Sequence, residues 1–447
     1  MRKWKQKLLW AGAIVAALLV VPFLIPMSVY TKQAEALAAK ALGAPVSIGS
    51  LRIALLPTPR LNVGDVVVGE HHEFSVAHVS VVPVLASLFS DAKVISSVQV
   101  IRPVIKKAAL DILTGLSRQP KGGAGNISVS VRQINIKDAK LDWPGMSLPE
   151  INANITLTAD NQPAAAKLES VDGKLKLELI IEDNRQLITF TAKAWILPAG
   201  PPLLIDQLRM DMVLTDNKLD ITKINGALYS GKLSGDANLT WSKGYKLSGK
   251  TRLDNLSVRE PVRLMSKSTL VSGQLFSSGQ FVANAKEPAQ LVDNLHADIK
   301  FNVKNGVLYG FDLAKAPSML LGQGEGGETK FDELSGLLGI SGKTYRLRDL
   351  KISSGMMKAS GKVKINPNKS LDGEIEVEVK NSMTLTAIPL NVSGTLDHPK
   401  VFPTKAAIAS AVAGTAILGP VGAGIGLRAG KALGQLKGLF DGDENKK

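Results

Sequence analysis

Segments in which every second residue is apolar recur along this chain. The clearest are LKLELII (175–181) and EIEVEVK (374–380), where charged residues occupy the positions between the apolar ones, except at Ile180. A period of two is the side-chain period of a β-strand that buries one face. These segments therefore predict strands with one apolar face. The candidate residues for lining that face are Ile127, Val129, Val131, Leu175, Leu177, Leu179, Ile375, Val377 and Val379.

Turn signals separate the predicted strands. Asp172-Gly173, Asn225-Gly226, Asn305-Gly306 and Asp372-Gly373 are dipeptides typical of tight hairpins. Short helices are expected at 31–42, 84–89 and 314–321, since Gly43 and Pro45 follow the first of them. The pattern predicts a mainly β fold: an elongated antiparallel meander with a few short helices.

A long apolar run without charge precedes the first predicted helix. It extends from Leu8 to Pro26, and about 20 apolar residues are enough for a helix to cross a bilayer. The cationic flank is expected on the cytoplasmic side, which leaves the rest of the chain outside the cytoplasm. Signal-peptidase cleavage at Ala34-Glu35-Ala36 is the alternative, although the run exceeds the usual signal core. The predicted anchor residues are Leu8, Trp10, Ile14, Leu18, Val21 and Phe23, and the topology-setting cations are Arg2, Lys3, Lys5 and Lys7.

The C-terminal tail has a different composition. Residues 406–427 carry no charge, and Pro420 divides them, which predicts two short helices instead of one straight span. Beyond it, glycine at every fourth position would let another helix approach closely, and apolar residues beside cations favour an interfacial helix. A flexible glycine-rich tail is the alternative. The predicted packing glycines are Gly422, Gly426, Gly430, Gly434 and Gly438.

Composition narrows the chemistry. The 447 residues include no cysteine, which excludes disulfides and thiolate sites, and 45% are hydrophobic while only 5% are aromatic. Aromatic faces usually hold sugars, whereas acyl chains need only an aliphatic lining, so the balance favours lipid tails. The formal net charge of +15 suits anionic lipid headgroups. Diffuse solvated lysines explain it equally well.

Catalytic motifs are incomplete. His71, His72, Glu73 and His78 lack the spacing of a zinc helix, and Gly342-Lys343-Thr344 lacks the earlier glycine of a phosphate-binding loop. The latter is expected to be a hairpin turn. We therefore expect no enzymatic activity, no cofactor, no metal and no nucleic-acid partner.

Two stretches resemble the AsmA family of bacterial envelope proteins, which includes TamB-like members. The first comprises VSIGSLRIALLPTPRLNVGDVVVG (46–69) and VAHVSVVPVLASLFSDAKVISSVQVIRPVI (76–105). The second comprises four blocks in the family's order: LVSGQLFSSGQF (270–281), KNGVLYGFDLAKA (304–316), TKFDELSGLLGISGKTYRLRDLKISSGMMKASGKVKINP (329–367) and IPLNVSGTLDHPKVFP (388–403). The expected domains are an anchor (1–30), an N-terminal AsmA-like unit (31–114), a variable middle sheet (115–269), a C-terminal AsmA-like domain (270–403) and a tail (404–447).

The resemblance implies a single-pass inner-membrane protein with most of its chain in the periplasm. Its sheet would curl into an apolar groove, and its role would be in outer-membrane assembly and phospholipid movement. Expected partners are the inner membrane, phospholipid, and outer-membrane or periplasmic assembly factors. The alternative is a closed sheet core in a structural or regulatory assembly factor that binds no lipid.

Overall fold

The computed structural model describes residues 27–90, 92–109, 129–142, 148–182, 185–197, 202–265, 270–310, 312–315, 327–355, 357–380 and 385–418. The described chain is mainly β, as the alternation predicts. It divides into two compact units, Met1–Ala192 (unit 1) and Lys193–Lys447 (unit 2). The five domains expected from the sequence stay a prediction.

The described residues of unit 1 form one α-helix, one 3-10 helix (Leu85–Phe89) and ten strands, the last of which ends four residues inside unit 2. The elements are α1 (Met27–Leu42), β1 (Val46–Ala54), β2 (Arg60–Val68), β3 (Phe74–Pro83), β4 (Lys93–Lys106), β5 (Val129–Val131), β6 (Gln133–Asp142), β7 (Ile151–Leu157), β8 (Pro163–Ser170), β9 (Leu175–Glu182) and β10 (Arg185–Ile196). The helices predicted at 31–42 and 84–89 are confirmed, the first with an earlier start and the second as a 3-10 turn.

The strands of unit 1 are not all antiparallel, which corrects the predicted meander. β5 and β6 both lie parallel to β4, whereas β1 to β4 and β6 to β10 pair antiparallel with their chain neighbours. A parallel pair needs a crossover of about a dozen residues or more, and residues 107–128 supply it. Alternation reports which face a residue occupies, and it does not report the direction of the neighbouring strand.

Unit 2 is an antiparallel meander. Its elements are β11 (Leu204–Thr215), β12 (Lys218–Leu228), β13 (Gly231–Thr240), β14 (Tyr245–Ser257), α2 (Arg259–Met265), β15 (Val271–Ala285), β16 (Leu295–Tyr309), β17 (Glu328–Ser341), β18 (Thr344–Ser354), β19 (Met357–Ile365), β20 (Leu371–Lys380), β21 (Leu385–Gly394), β22 (Pro399–Pro403) and α3 (Lys405–Leu418), with 3-10 turns at Pro288–Gln290 and Leu313–Lys315. Each strand from β11 to β21 pairs antiparallel with the next one in the chain. Of the helix predicted at 314–321, residues 316–321 lie outside the described residues.

Two of the turn predictions are confirmed. Asp172-Gly173 connects β8 to β9, and Gly342-Lys343 connects β17 to β18, where Ser341 pairs with Thr344. Both glycines have a positive φ, which glycine adopts at little cost. These two dipeptides therefore form the tight hairpins that their sequences indicate.

Three other turn predictions are wrong. Asn225-Gly226, Asn305-Gly306 and Asp372-Gly373 lie inside β12, β16 and β20. A Cβ on Gly226 would lie 3.0 Å from the carbonyl oxygen of Gln207 on β11, and one on Gly373 would lie 2.6 Å from that of Lys362 on β19. The glycines are required by close approach of the adjacent strand, which is the other usual reason for glycine in a strand.

Unit 2 has a closed hydrophobic core at one end of its strands. Leu313, Val377, Ile388 and Leu390 are fully buried there. Ala407 and Ala411 of α3 belong to the same cluster of buried residues. The first part of the predicted tail is therefore structural, and α3 extends to Leu418, the last residue that the structure describes.

Candidate functional site

The sheet of unit 1 presents a continuous apolar face. Cross-strand partners form two rows without a polar residue. Each row crosses the nine strands β1 to β4 and β6 to β10. One row is Ile53, Leu61, Val81, Val98, Ile134, Ile155, Ala166, Leu179 and Ile188, and the other is Leu51, Val63, Val79, Val100, Ile136, Ala153, Leu168, Leu177 and Phe190. Alternation in the sequence places these side chains together, since residues two apart share a face.

Most of this face stays accessible to solvent. Of the two rows, only Leu51 and Ala166 are buried, and Ile53 is 39% exposed. The other side chains are partly exposed. In a closed core the large aliphatic residues are almost completely buried, as Val377 and Ile388 are in unit 2. The apolar face of unit 1 is therefore not sealed by the described part of the chain, where α1 packs against the edge strand β1.

The opposite face of the same strands is mainly polar, with Ile101, Ile180 and Leu187 as apolar exceptions. A single cross-strand row there contains Arg52, Asn62, Ser80, Gln99, Asn135, Asn154, Lys167, Glu178 and Thr189. Asn154 donates a hydrogen bond to Asn135 (2.6 Å), and Lys167 pairs with Glu178 (3.6 Å). The two faces of unit 1 thus differ in chemistry, as a surface for hydrocarbon on one side and water on the other requires.

Unit 2 has the same two-faced organisation, with a closed end and an accessible end. At the accessible end, the inward side chains Leu247, Phe281, Leu338, Leu347 and Val363 are partly exposed. At the closed end, α3 and the turn Leu313–Lys315 pack on the sheet. The accessible end of unit 2 therefore resembles the open face of unit 1, and the closed end does not.

Glycines on the inward face of unit 2 allow adjacent strands to approach closely there. A Cβ on inward-facing Gly336 would lie 3.1 Å from the carbonyl oxygen of Arg348 on β18. A Cβ on outward-facing Gly339, three residues away, would lie 3.8 Å from the nearest backbone oxygen, that of Arg346. An added side chain would meet the adjacent strand at Gly336, so glycine permits the close approach on the inward face.

The outward face of unit 2 holds a charged cavity of about 740 Å³ across β13 to β18. Its basic residues are Lys250, Arg252, Lys300 and Arg348. Arg348 pairs with Asp298 at 3.2 Å, and Arg252 forms a two-point contact with Asp254 at 2.9 and 3.0 Å, which raises the pKa of the guanidinium. Two of the four basic residues of the cavity are therefore paired with carboxylates of the sheet itself.

The predicted lining residues fall into different environments. Leu175, Leu177 and Leu179 are partly exposed on the apolar face of unit 1, with Val131 partly exposed and Val129 45% exposed at a strand end. Ile375, Val377 and Val379 are 8%, 0% and 9% exposed in the closed core of unit 2. Ile127 lies outside the described residues, as do all the predicted anchor, topology and tail-glycine residues.

Sequence reasoning missed most of the apolar face of unit 1. Val63, Val79, Val81, Val98 and Val100 form its N-terminal half. The signal was present in the alternation of VSVV and VQVI but was short, and bulges interrupt it in β3 and β4. Small residues such as Ala153 and Ala166 hid the pattern in β7 and β8.

Other candidate sites give little chemistry. His71 and His72 are exposed in the β2–β3 turn, where the carboxylate of Glu73 accepts from the backbone N–H of His71 (3.1 Å). Within the described ranges, no group of three or more His, Asp or Glu residues is arranged to hold a metal ion. None of the described helices is both long and apolar enough to cross a membrane, and the apolar run 8–26 lies outside them.

The fold and the two-faced sheet define a class: proteins in which a long β-sheet presents one accessible aliphatic face. Residues 126–342 match the family model of the AsmA family, which supports the assignment of the chain to that family. The match includes most of the middle region that the sequence analysis expected to vary, and the first part of the C-terminal region. Comparison with curated proteins and with solved structures gives no match. Membership suggests a general role in assembly or lipid homeostasis of the bacterial envelope.

Proposed function

We propose that this protein is anchored in the bacterial inner membrane and holds phospholipid acyl chains on the apolar face of its periplasmic sheet, in support of outer-membrane assembly and lipid homeostasis. The observation that supports it best is the pair of uninterrupted aliphatic rows in unit 1, whose side chains remain partly exposed. Leaving such a surface in water is unfavourable, and patches of this kind usually bind a partner. The proposal involves no chemical step, cofactor or metal.

The size of the face suits hydrocarbon. Nine strands at about 4.8 Å spacing give a row roughly 38 Å long. One acyl chain spans about half of a 30 Å hydrocarbon layer, roughly 15 Å. Each methylene removed from water contributes about 0.8 kcal/mol, so a chain that covers even part of the row is held by several kcal/mol. The polar row on the opposite face keeps the sheet in water.

The alternative function is a structural or regulatory assembly factor without bound lipid. The closed core of unit 2 favours it for that part of the chain, because Val377, Ile388 and Leu390 contact only protein. This alternative function gives no role to the accessible apolar face of unit 1.

Photo-crosslinking in native membranes separates the two. A photoreactive amino acid at Leu177, on the apolar face, is compared with one at Glu178, the adjacent residue on the polar face. We expect phospholipid adducts, identified by mass spectrometry, at 177 and not at 178. Absence of lipid adducts at both positions, with crosslinks to protein at 177, would favour the structural role instead.

A further inference from the structure

Exposed apolar side chains gather at one end of unit 1. Phe89 is 94% exposed, Leu56 64%, Leu85 51%, Val129 45% and Ile53 39%. Exposed large apolar residues in loops are costly unless something covers them. We name this region the loop end, defined by residues 53–60, 84–90, 92–93 and Val129.

The register of the sheet brings these residues to the same end. Leu61, at the start of β2, pairs with Val81, near the end of β3, so the loops 55–59 and 84–92 leave the sheet side by side. Lys93, the first residue of β4, pairs with Val129, the first residue of β5. The loop end is therefore one surface.

Helix α1 also points toward the loop end. The carboxylate of Glu35 accepts a hydrogen bond from the backbone N–H of Ile48 (2.7 Å), so the helix folds back along β1 after the connection at residues 43–45. At about 1.5 Å per residue, Met27 lies roughly 12 Å beyond Glu35, in the direction in which β1 runs toward Ala54. Tyr30, in the first turn of α1, is 53% exposed. The apolar run 8–26 directly precedes this end of the helix.

Cations accompany the apolar residues. Arg52, Arg60, Lys93 and Arg132 lie on the strand ends at this side of β1 to β6, and Asp91 is the one acidic residue in the segments 53–60 and 84–93. Apolar tips among cations are the pattern of surfaces that insert into the headgroup layer of an anionic membrane. An aromatic side chain such as Tyr30 is favoured at the same depth.

We propose that the loop end of unit 1 docks on the membrane that holds the N-terminal apolar run, with Leu56, Leu85 and Phe89 inserted among the lipid headgroups. This inference rests on the proposed function in one respect, since it takes residues 8–26 as the anchor. The tether keeps the loop end at high effective concentration near that bilayer, which a soluble protein partner would lack. Ile53, Leu61 and Val81 begin the first apolar row beside the docked loops, so acyl chains have a route from the leaflet onto the sheet.

The chain has no cysteine, so single cysteines can be labelled without background. Full-length Leu56→Cys and Phe89→Cys proteins are labelled with an environment-sensitive fluorophore in vesicles of phosphatidylcholine and phosphatidylglycerol, with nitroxide lipids as quenchers. The matched control is Val171→Cys, which is 52% exposed in the β8–β9 turn at the opposite end of unit 1. We expect a blue shift and nitroxide quenching at 56 and 89, and neither at 171.

Several results would overturn the proposal. Unquenched labels at 56 and 89, equal quenching at 171, or a blue shift without quenching, which would indicate protein contact, each contradict membrane docking. Lipid adducts at Leu177 in the same preparation show separately whether the apolar face of unit 1 binds lipid. If those adducts form while 56 and 89 stay unquenched, docking fails and the proposed function stands. Phe89→Asp should abolish quenching at 56 and lower adduct yield at 177, while leaving the thermal transition unchanged.

Discussion

At the scale of single residues, glycines within strands mark places where neighbouring strands approach closely. A Cβ on Gly306 would collide with the carbonyl oxygen of Ser272 and with the ring of Phe331. We expect Gly306→Ala to destabilise the protein by about 1 to 3 kcal/mol, the usual cost of overpacking, measured as a lower thermal transition. Gly355→Ala is the control, because its added Cβ would meet nothing within 4 Å. Equal transitions for the two variants would contradict the close approach.

The ionisation of the Asp172 carboxyl group, in the turn between β8 and β9, depends on its hydrogen bonds. The Ser170 hydroxyl donates to the carboxylate of Asp172 (2.6 Å), and the backbone N–H of Lys174 donates to the same oxygen (3.1 Å). These hydrogen bonds, with the charge of Lys174, lower the pKa of Asp172. The stabilisation that the ionised form gives is therefore present above the unfolded-state pKa and is lost as pH falls through the lowered folded-state pKa.

We expect Ser170→Ala to raise the pKa of Asp172 by more than Lys174→Ala does, because the Ser170 hydrogen bond is the largest cause and the Lys174 backbone bond survives the second change. An NMR titration of the Asp172 carboxyl measures both variants. A larger change in Lys174→Ala would mean that charge, and not hydrogen bonding, controls this carboxylate.

At the scale of elements, α1 protects the edge of the sheet in unit 1. An exposed edge strand offers unpaired backbone groups to other chains, and Glu35 occupies one of them at Ile48. A hydrogen bond to a charged group contributes about 1.5 kcal/mol, so Glu35→Ala should speed hydrogen exchange of the Ile48 amide roughly tenfold. Lys32→Ala, on an exposed position of the same helix, should leave that exchange unchanged. Unaltered exchange in Glu35→Ala would show that the helix packs on β1 without the carboxylate.

The strands illustrate what the sequence can and cannot predict. β9 and β20 were predictable, because charged residues occupy every second position in both strands, with Ile180 of β9 as the exception. The parallel pairing of β4 with β6 was not, since alternation is the same in either direction. Asn225-Gly226 reads as a turn because glycine serves both turns and close strand contacts, and only the neighbouring strand separates the two. Whether the apolar face of a strand is covered depends on other elements. For β20 one of these elements is α3, which follows it in the chain after two further strands.

At the scale of the whole molecule, the same alternation of apolar and polar residues forms an accessible face in unit 1 and part of a closed core in unit 2. Leu177 and Val377 occupy equivalent positions in alternating strands, yet the first is partly exposed and the second is fully buried. Val377 contributes to a closed core together with Ala407 and Ala411 of α3. A deletion that tests the function of the tail should for this reason begin after Leu418, because removing α3 would open that core.

One substitution at both positions distinguishes an accessible lipid surface from a sealed core. In Val377→Asp a carboxylate is buried without a partner, so we expect a loss above about 4 kcal/mol and unfolding of unit 2. In Leu177→Asp the carboxylate can reach water, so the thermal transition should change little. The charge would lie among acyl chains, however, so co-purified phospholipid, quantified by mass spectrometry, should fall. Glu178→Gln, on the polar face, should retain both stability and lipid. Should Leu177→Asp unfold the protein as Val377→Asp does, the face of unit 1 is covered in solution and the lipid-holding role is excluded there.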